Sequence, residues 1–358
     1  MIYITLGSKA QLIKMAPIMV ELNKQNIKYR FIFTGQHKET IKELIDVFGL
    51  RRPDYTLYKG KDITQVFQMA SWSVKCLVHT ARNKKKIFPS KNGIVLVHGD
   101  AFSALLGAMM AKMSGLKVGY VEAGLRSNDI WNPFPEEITR RIVSRMVDYH
   151  FCQDEAAMNN SKKYGGKKIN TRHNTLYDAL MLAVRNQNKI NVDIPGEKYG
   201  LVSIHRYENI SSEKRLDEIV RSMEELSKNI RLLFILHKPT RERLKKYGIY
   251  GRIKKNPNIE LRPRYDYFRF IKLVWNAEFV ITDGGSNQEE CSYLGKPCLL
   301  MRSKTERFEG LGKNTVISNY NRNVLMDFVK NYHSFKQVKN HCKKSPSKII
   351  VNAIADFK

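Results

Sequence analysis

The sequence predicts an α/β protein made of two Rossmann-like domains facing each other across a cleft. Short apolar runs alternate with amphipathic, helix-like stretches along most of the chain. The alternation resets once, and most of the apolar runs end in Gly or a polar group. The length of 358 residues also suits two domains, at ~100–200 residues each.

In order, "IYITLGS", "KYRFIFTG", "GIVLVHGD", "KVGYVEAG" and "YHFCQ" read as buried strands, each followed by a helical pattern. After a helix near "LYDALMLAVRNQNK" and a polar link around "INVDIPGEKYG", a second series begins with "LVSIHR", "IRLLFILHK", "IELRPR", "FVITDGG" and "PCLLMR". These boundaries give a first domain over 1–172 and a second over 173–341, with a last helix at about 342–356 that is expected to cross back to the first. Repeated β-α units imply parallel sheets covered on both faces, with ligands at the carboxyl ends of the strands. The sequence has no internal repeat and no low-complexity segment.

A hydrophobic fraction of 42% and an aromatic fraction of 10% are ordinary for a globular chain. The charge is not: 62 Lys+Arg against 34 Asp+Glu leave a formal +28, which favours acidic or phosphorylated partners. The lysines fall in scattered clusters, such as Lys84 to Lys86, and no nucleic-acid-binding signature accompanies them, so no nucleic-acid partner is expected. Cys76, Cys152, Cys291, Cys298 and Cys342 lie far apart, with no CxxC and no Cys/His spacing for zinc. Free thiols, no signal peptide and no apolar run of ~18 residues point to a soluble cytoplasmic protein without a transmembrane segment.

The strand ends carry the candidate chemistry. In the first domain they bear Ser8 and Lys9 with Lys14 a turn on, then Gln36 and His37, then His98, Gly99 and Asp100, then Glu122 and Arg126. In the second they bear His205, Arg206 and Glu208, then His237, then Asp283 to Ser286, then Arg302 and Arg307. So many titratable groups at one edge argue for a charged cleft. In "TDGGSNQEE", a strand running through Gly284, Gly285 and Ser286 into a helix suits an anion, with Glu289 and Glu290 expected on the first helical turn and Arg307 of "TERFEG" closing over the same place. Glu136 and Glu137 follow Pro135, as acids do at a helix start. A carboxylate such as Glu122 at the end of a buried strand needs a partner or a purpose. With Asp100 beside it, burial and mutual repulsion are expected to raise one of these groups towards neutrality, where it can move protons.

Ten co-linear segments, "GSKAQLIKMAPI", "TGQHKE", "VHGD", "VEAGLRS", "PFPEEITRR", "NTLYDAL", "SIHRYEN", "TDGGSNQEE", "LGKPCLLMR" and "TERFEG", resemble those of the non-hydrolysing UDP-N-acetylglucosamine 2-epimerases. The resemblance implies a GT-B-like pair of domains and interconversion of UDP-GlcNAc and UDP-ManNAc by anti elimination of UDP and its re-addition to 2-acetamidoglucal. It also implies no metal or nicotinamide cofactor, a homodimer, and a place in surface polysaccharide synthesis. Carried over by motif, Asp100, Glu122 and Glu136 match the acid and base carboxylates and His205 the histidine near the diphosphate. Lys14 and Arg307 match basic contacts and Glu290 the acid that holds the ribose; Lys9, Arg126, Gly285, Ser286 and His237 complete the candidate substrate contacts.

The chain departs from the family pattern where Lys9 stands for an arginine, where Gly284-Gly285-Ser286 replaces Ser-Gly-Gly, and where "GKDITQV" lacks the Arg-Gln pair that bacterial members use to bind an activating second substrate molecule. Other readings are a hydrolysing epimerase that releases ManNAc and UDP, a 2-epimerase of a related UDP-sugar, a glycosyltransferase on the same fold, and a basic binding protein without turnover.

Overall fold

Strands such as "IVLVH" are buried at every position because helices cover both faces of the sheet to which they belong. The structure is a computed structural model, described for residues 1–358 except 37–40, 61, 64, 65, 128, 130–134, 340, 341, 343 and 358, and without the side chains of Val66 and Phe67. The chain forms two compact units, Met1–Ala179 with Cys342–Lys358, and Leu180–His341.

The first unit holds a parallel sheet of β1 (Ile2–Leu6), β2 (Tyr29–Phe33), β3 (Tyr55–Thr56), β4 (Ile94–His98), β5 (Lys117–Ala123), β6 (Tyr149–Cys152) and β7 (Lys167–Asn170), in the order β3-β2-β1-β4-β5-β6-β7. The order reverses between β1 and β4, and such a switch point opens a crevice at the carboxyl ends of those strands. Tyr3, Phe31, Tyr120 and Phe151 are fully buried in this sheet. Each large apolar side chain taken out of water stabilises by ~1.5–3 kcal/mol.

The second unit repeats the plan with β8 (Tyr199–Ser203), β9 (Arg231–Leu236), β10 (Ile259–Pro263), β11 (Phe279–Thr282), β12 (Cys298–Leu300) and β13 (Thr315–Ile317), in the order β10-β9-β8-β11-β12-β13. Its switch point lies between β8 and β11, the strands that lead into His205 and Asp283. Two doubly wound parallel sheets are the α/β architecture expected from the sequence. Three strands have no counterpart in the sequence reading, namely β3, β7 and β13, and each is an edge strand of two to four residues. Edge strands lack the continuous apolar run that marks a buried one.

The division between the two compact units falls inside the helix Leu176–Arg185. The first turn of that helix holds the C-terminal segment: Tyr177 Oη accepts from the Cys342 N–H, and the Asp178 carboxylate accepts from the Ser345 hydroxyl and the Ser347 N–H at 2.7–2.8 Å. The last helix, Pro346–Ala353, opens on Ser345 with Pro at its start and packs on the helix Lys9–Lys24. Among the described residues no helix is long and apolar enough to cross a membrane.

His150 in β6 is fully buried, with Nε2 2.9 Å from the Gly165 carbonyl, and burial pushes its pKa from 6.5 down to about 4. Between these values the unfolded chain binds a proton that the folded chain refuses, so the contribution of His150 is complete above pH 6.5 and lost as the pH falls towards 4. Urea midpoints at pH 7 and pH 5 should therefore fall further for the wild type than for His150→Gln. Equal losses would remove His150 from the acid sensitivity.

Candidate active site

In the first unit the chemistry gathers at the ends of β1, β4 and β5. Ser8 caps the helix Lys9–Lys24, and Gln11 completes a capping box with it. Gln11 is also a hub: its Oε1 accepts from the Gly7 N–H at 2.9 Å and the Ser103 hydroxyl at 2.7 Å, while its Nε2 donates to the His98 carbonyl at 2.8 Å. The helix thus fixes the end of β4 and presents Lys14 one turn on. Lys9 opens the helix, half-buried.

Glu122 sits where the pairing of β5 with β6 shifts register, between Val121 and Ala123, and its φ is +64°. A left-handed conformation in a bulged strand costs energy for a residue other than Gly, and it re-aims the side chain. Lys14 Nζ donates to both Glu122 oxygens at 2.8 and 2.9 Å, and His98 Nε2 lies 3.0 Å from Oε2. Lys14, His98 and Glu122 are all buried.

The neighbouring carboxylates are likewise matched to cations. Asp100, after β4, pairs with Arg140 of the helix Glu136–Met146. Burial alone would lower the pKa of Arg140, but Asp100, Tyr120, Glu122 and Glu137 outweigh it and raise the value, so the guanidinium stays charged. Glu137 is fully buried and takes Arg141 at 2.9 Å, Arg140 at 3.7 Å and Arg126 at 3.9 Å. Arg126 also donates to the Ser144 hydroxyl at 3.0 Å and lies 5.6 Å over the Tyr164 ring.

Asp100, Glu122 and Glu136 thus stand at strand and helix ends of one unit as expected, with Glu136 half-buried in the first turn of its helix. Each of two carboxylates meets a cationic or basic side chain: Glu122 meets Lys14 and His98, and Asp100 meets Arg140. His37, Lys38, Glu39, Pro133 and Phe134 of the quoted segments, and Lys61, Thr64 and Gln65 of "GKDITQV", lie outside the described residues.

In the second unit β11 runs through Asp283 into the helix Gly285–Leu294, with Gly284 as its cap. Glu289 and Glu290 lie on the second turn, not the first, because the helix starts only at Gly285. That register sends both inward, fully or almost fully buried. Glu289 takes Arg307 Nη1 at 2.7 Å and the Tyr293 hydroxyl at 3.0 Å, while Glu290 takes Asn287 Nδ2 at 3.0 Å. Gln288 Nε2 donates to the carbonyls of Arg307 and Glu309, and Thr305 donates to Gln288 Oε1, so the helix grips the 305–309 loop. A Cβ on Gly285 would lie 3.4 Å from Arg307 Nε, so the Arg307 side chain runs beside the Gly turn. Ser286 is exposed at the helix start.

His205 follows β8, with its ring stacked on His237 at 4.3 Å between centroids. Burial lowers the pKa of His205, with Asp283 opposing and Arg206 and Arg264 adding to the fall. Burial would raise Glu306, yet Arg302, its own backbone N–H, Arg206 and Arg307 lower it. These guanidinium groups give the half-site a positive field suited to a diphosphate. Among the described residues no group of three or more His, Cys, Asp or Glu side chains is placed to hold a metal ion.

Glu137, Gln11 and Gln288 take structural parts that the sequence reading did not assign. A Ser-x-x-Gln spacing at the first helix was the signal available for Gln11.

A profile of the family described as UDP-N-acetylglucosamine 2-epimerase matches residues 20–348. The UDP-N-acetylglucosamine 2-epimerase of Methanocaldococcus jannaschii is 32% identical over 337 residues, 90% of this chain and 89% of that protein. Its crystal structure in complex with UDP-GlcNAc and UDP matches with a TM-score of 0.81 at 28% identity, over 100% of this chain and 99% of that one. The Neisseria meningitidis UDP-GlcNAc 2-epimerase bound to UDP-GlcNAc matches with a TM-score of 0.84 at 26% identity, over 99% of each chain. With the two sheets, their switch points and the matched profile in agreement, the chain belongs to the UDP-N-acetylglucosamine 2-epimerase family.

Proposed function

We propose that the protein is a non-hydrolysing epimerase that interconverts UDP-GlcNAc and UDP-ManNAc and supplies an activated sugar for surface polysaccharide. The observation that carries this reading is the set of carboxylates at adjoining strand ends of the first unit, Glu122 on its bulge and Asp100 beside it, in a chain of this family. A base removes the C2 proton, UDP departs from C1 on the opposite face, and 2-acetamidoglucal forms. UDP then returns to C1 as a proton is delivered to the other face of C2.

The C2 proton is poorly acidic, so stabilisation of the departing diphosphate and well-placed proton carriers must share the work. In this reading Asp100, Glu122 and Glu136 move the protons. His205 and Arg307 meet the diphosphate, Glu290 holds the ribose, and Lys9, Lys14, Arg126, Gly285, Ser286 and His237 complete the substrate contacts. Lys14 at 2.8 Å and His98 at 3.0 Å hold the Glu122 carboxylate in place.

Proton and phosphorus NMR of the protein with UDP-GlcNAc in D2O tests the reading. The expected result is growth of UDP-ManNAc signals together with replacement of the C2 proton by deuterium. Accumulation of free ManNAc and UDP would instead establish the hydrolysing reaction. No change would point to another UDP-sugar or to glycosyl transfer.

A further inference from the structure

We propose that Asp283 is the positioning residue of His205, holding both the loop that carries the histidine and the orientation of its ring. The inference rests on the reading of His205 as the group that meets the diphosphate. Asp283 is fully buried at the end of β11, on the second unit's switch point. Its carboxylate accepts from the His205 N–H at 3.0 Å, the Arg206 N–H at 2.9 Å and Asn209 Nδ2 at 2.9 Å. Asn209 Nδ2 also donates to the Met301 carbonyl at 3.0 Å, which ties the same knot to the residue after β12. Neighbouring strand ends are thereby locked to one buried anion.

The ring itself is held from two directions. His237 stacks on it at 4.3 Å with 20° between the planes, and His237 Nε2 lies 3.4 Å from the Ser203 hydroxyl. Asp283 Oδ1 lies 3.4 Å from His205 Nδ1. The stack sets the plane, and the carboxylate selects which ring edge faces inward. Nδ1 makes no hydrogen bond among the described residues, so the carboxylate acts on the ring through its charge, which favours a proton on the nearer nitrogen. Among the described residues, the groups that shift His205 are Asp283, Arg206 and Arg264, with His237 stacked on the ring, and of these Asp283 supports a proton on the ring. A carboxylate that only tied the loop would need its backbone donors but no relation to the imidazole.

Asp283→Asn in the full chain separates these roles. Nitrogen-15 and proton NMR of the unliganded protein should show the His205 titration midpoint lowered and its tautomer mixture changed. With UDP-GlcNAc as substrate, kcat should fall about 100-fold with a much smaller change in KM. In a His205→Gln background the same substitution should cost no more than about twofold, because the two residues act as a unit. An unchanged His205 titration, or a loss that multiplies fully with His205→Gln, overturns the proposal.

If Asp283→Asn does not fold, Asn209→Ala carries the test by loosening the same carboxylate. A His205 ring signal identical to wild type in that folded variant also overturns it. The NMR titration needs no turnover, so it stands even if the protein proves not to be an epimerase. Conversely, an active epimerase whose His205 ignores Asp283 rejects this inference alone.

Discussion

Asp100→Asn and Glu122→Gln are each expected to lower turnover of UDP-GlcNAc by about 10²–10⁴-fold, the range that a positioned proton carrier contributes. Both substitutions keep shape and remove ionisation. Asp100 is half-exposed, and the buried Arg140 that it pairs with keeps Glu137 at 3.7 Å, so a neutral amide there should cost some stability without preventing folding. Glu122 is buried and bonded to Lys14, so Gln leaves that ammonium without its counter-charge and should lower stability, although the amide oxygen can still accept from Nζ. Circular dichroism should still report a folded protein while kcat collapses, and exchange of the C2 proton in D2O should collapse with it. A folded variant with near wild-type kcat would remove that residue from the chemistry. Loss of epimer formation with retained C2 exchange would assign the residue to the later, reprotonating half of the reaction.

The sequence made the strands between β1 and β12 legible wherever both faces are covered, because burial on two sides leaves an unbroken apolar run such as "IRLLFILHK". It hid β3, β7 and β13, which sit at sheet edges and are too short and too mixed in polarity to show a period. Candidate site residues were visible one by one, since a titratable group after an apolar run is conspicuous. Their partners were not. Lys14 and Glu122 are separated by 108 residues, and nothing local to either announces the other. The helix Gly285–Leu294 shows the same limit: its acids were apparent, but a start at Gly285 moves them to the second turn, where Glu289 meets Arg307 and not a helix end. The left-handed backbone of Glu122 was equally hidden, because a bulge depends on how β5 pairs with β6.

Lys14→Met is expected to cost about 3–5 kcal/mol of stability, the usual loss when one partner of a buried ion pair is removed. The side chains of Lys14 and Glu122 are 7% and 6% exposed, so water cannot replace the lost ammonium cheaply. The methylene stem of Lys is well imitated by Met, which confines the change to the charge. Glu122 is then left in a low-dielectric site with His98 at 3.0 Å, and its proton affinity must rise. Two measurements follow. Urea unfolding should give a midpoint well below wild type at pH 7, with the gap narrowing as the pH falls and Glu122 gains its proton. Adding Glu122→Gln to Lys14→Met should recover part of the loss, because the orphaned charge is gone and the amide can still hydrogen-bond. A single variant as stable as wild type, or a double variant less stable than the single one, would mean that this pair does not hold the bulged strand end in place. Recovery of stability without recovery of turnover would instead place the same two side chains in both roles, with the ion pair holding the Glu122 carboxylate in place until substrate arrives.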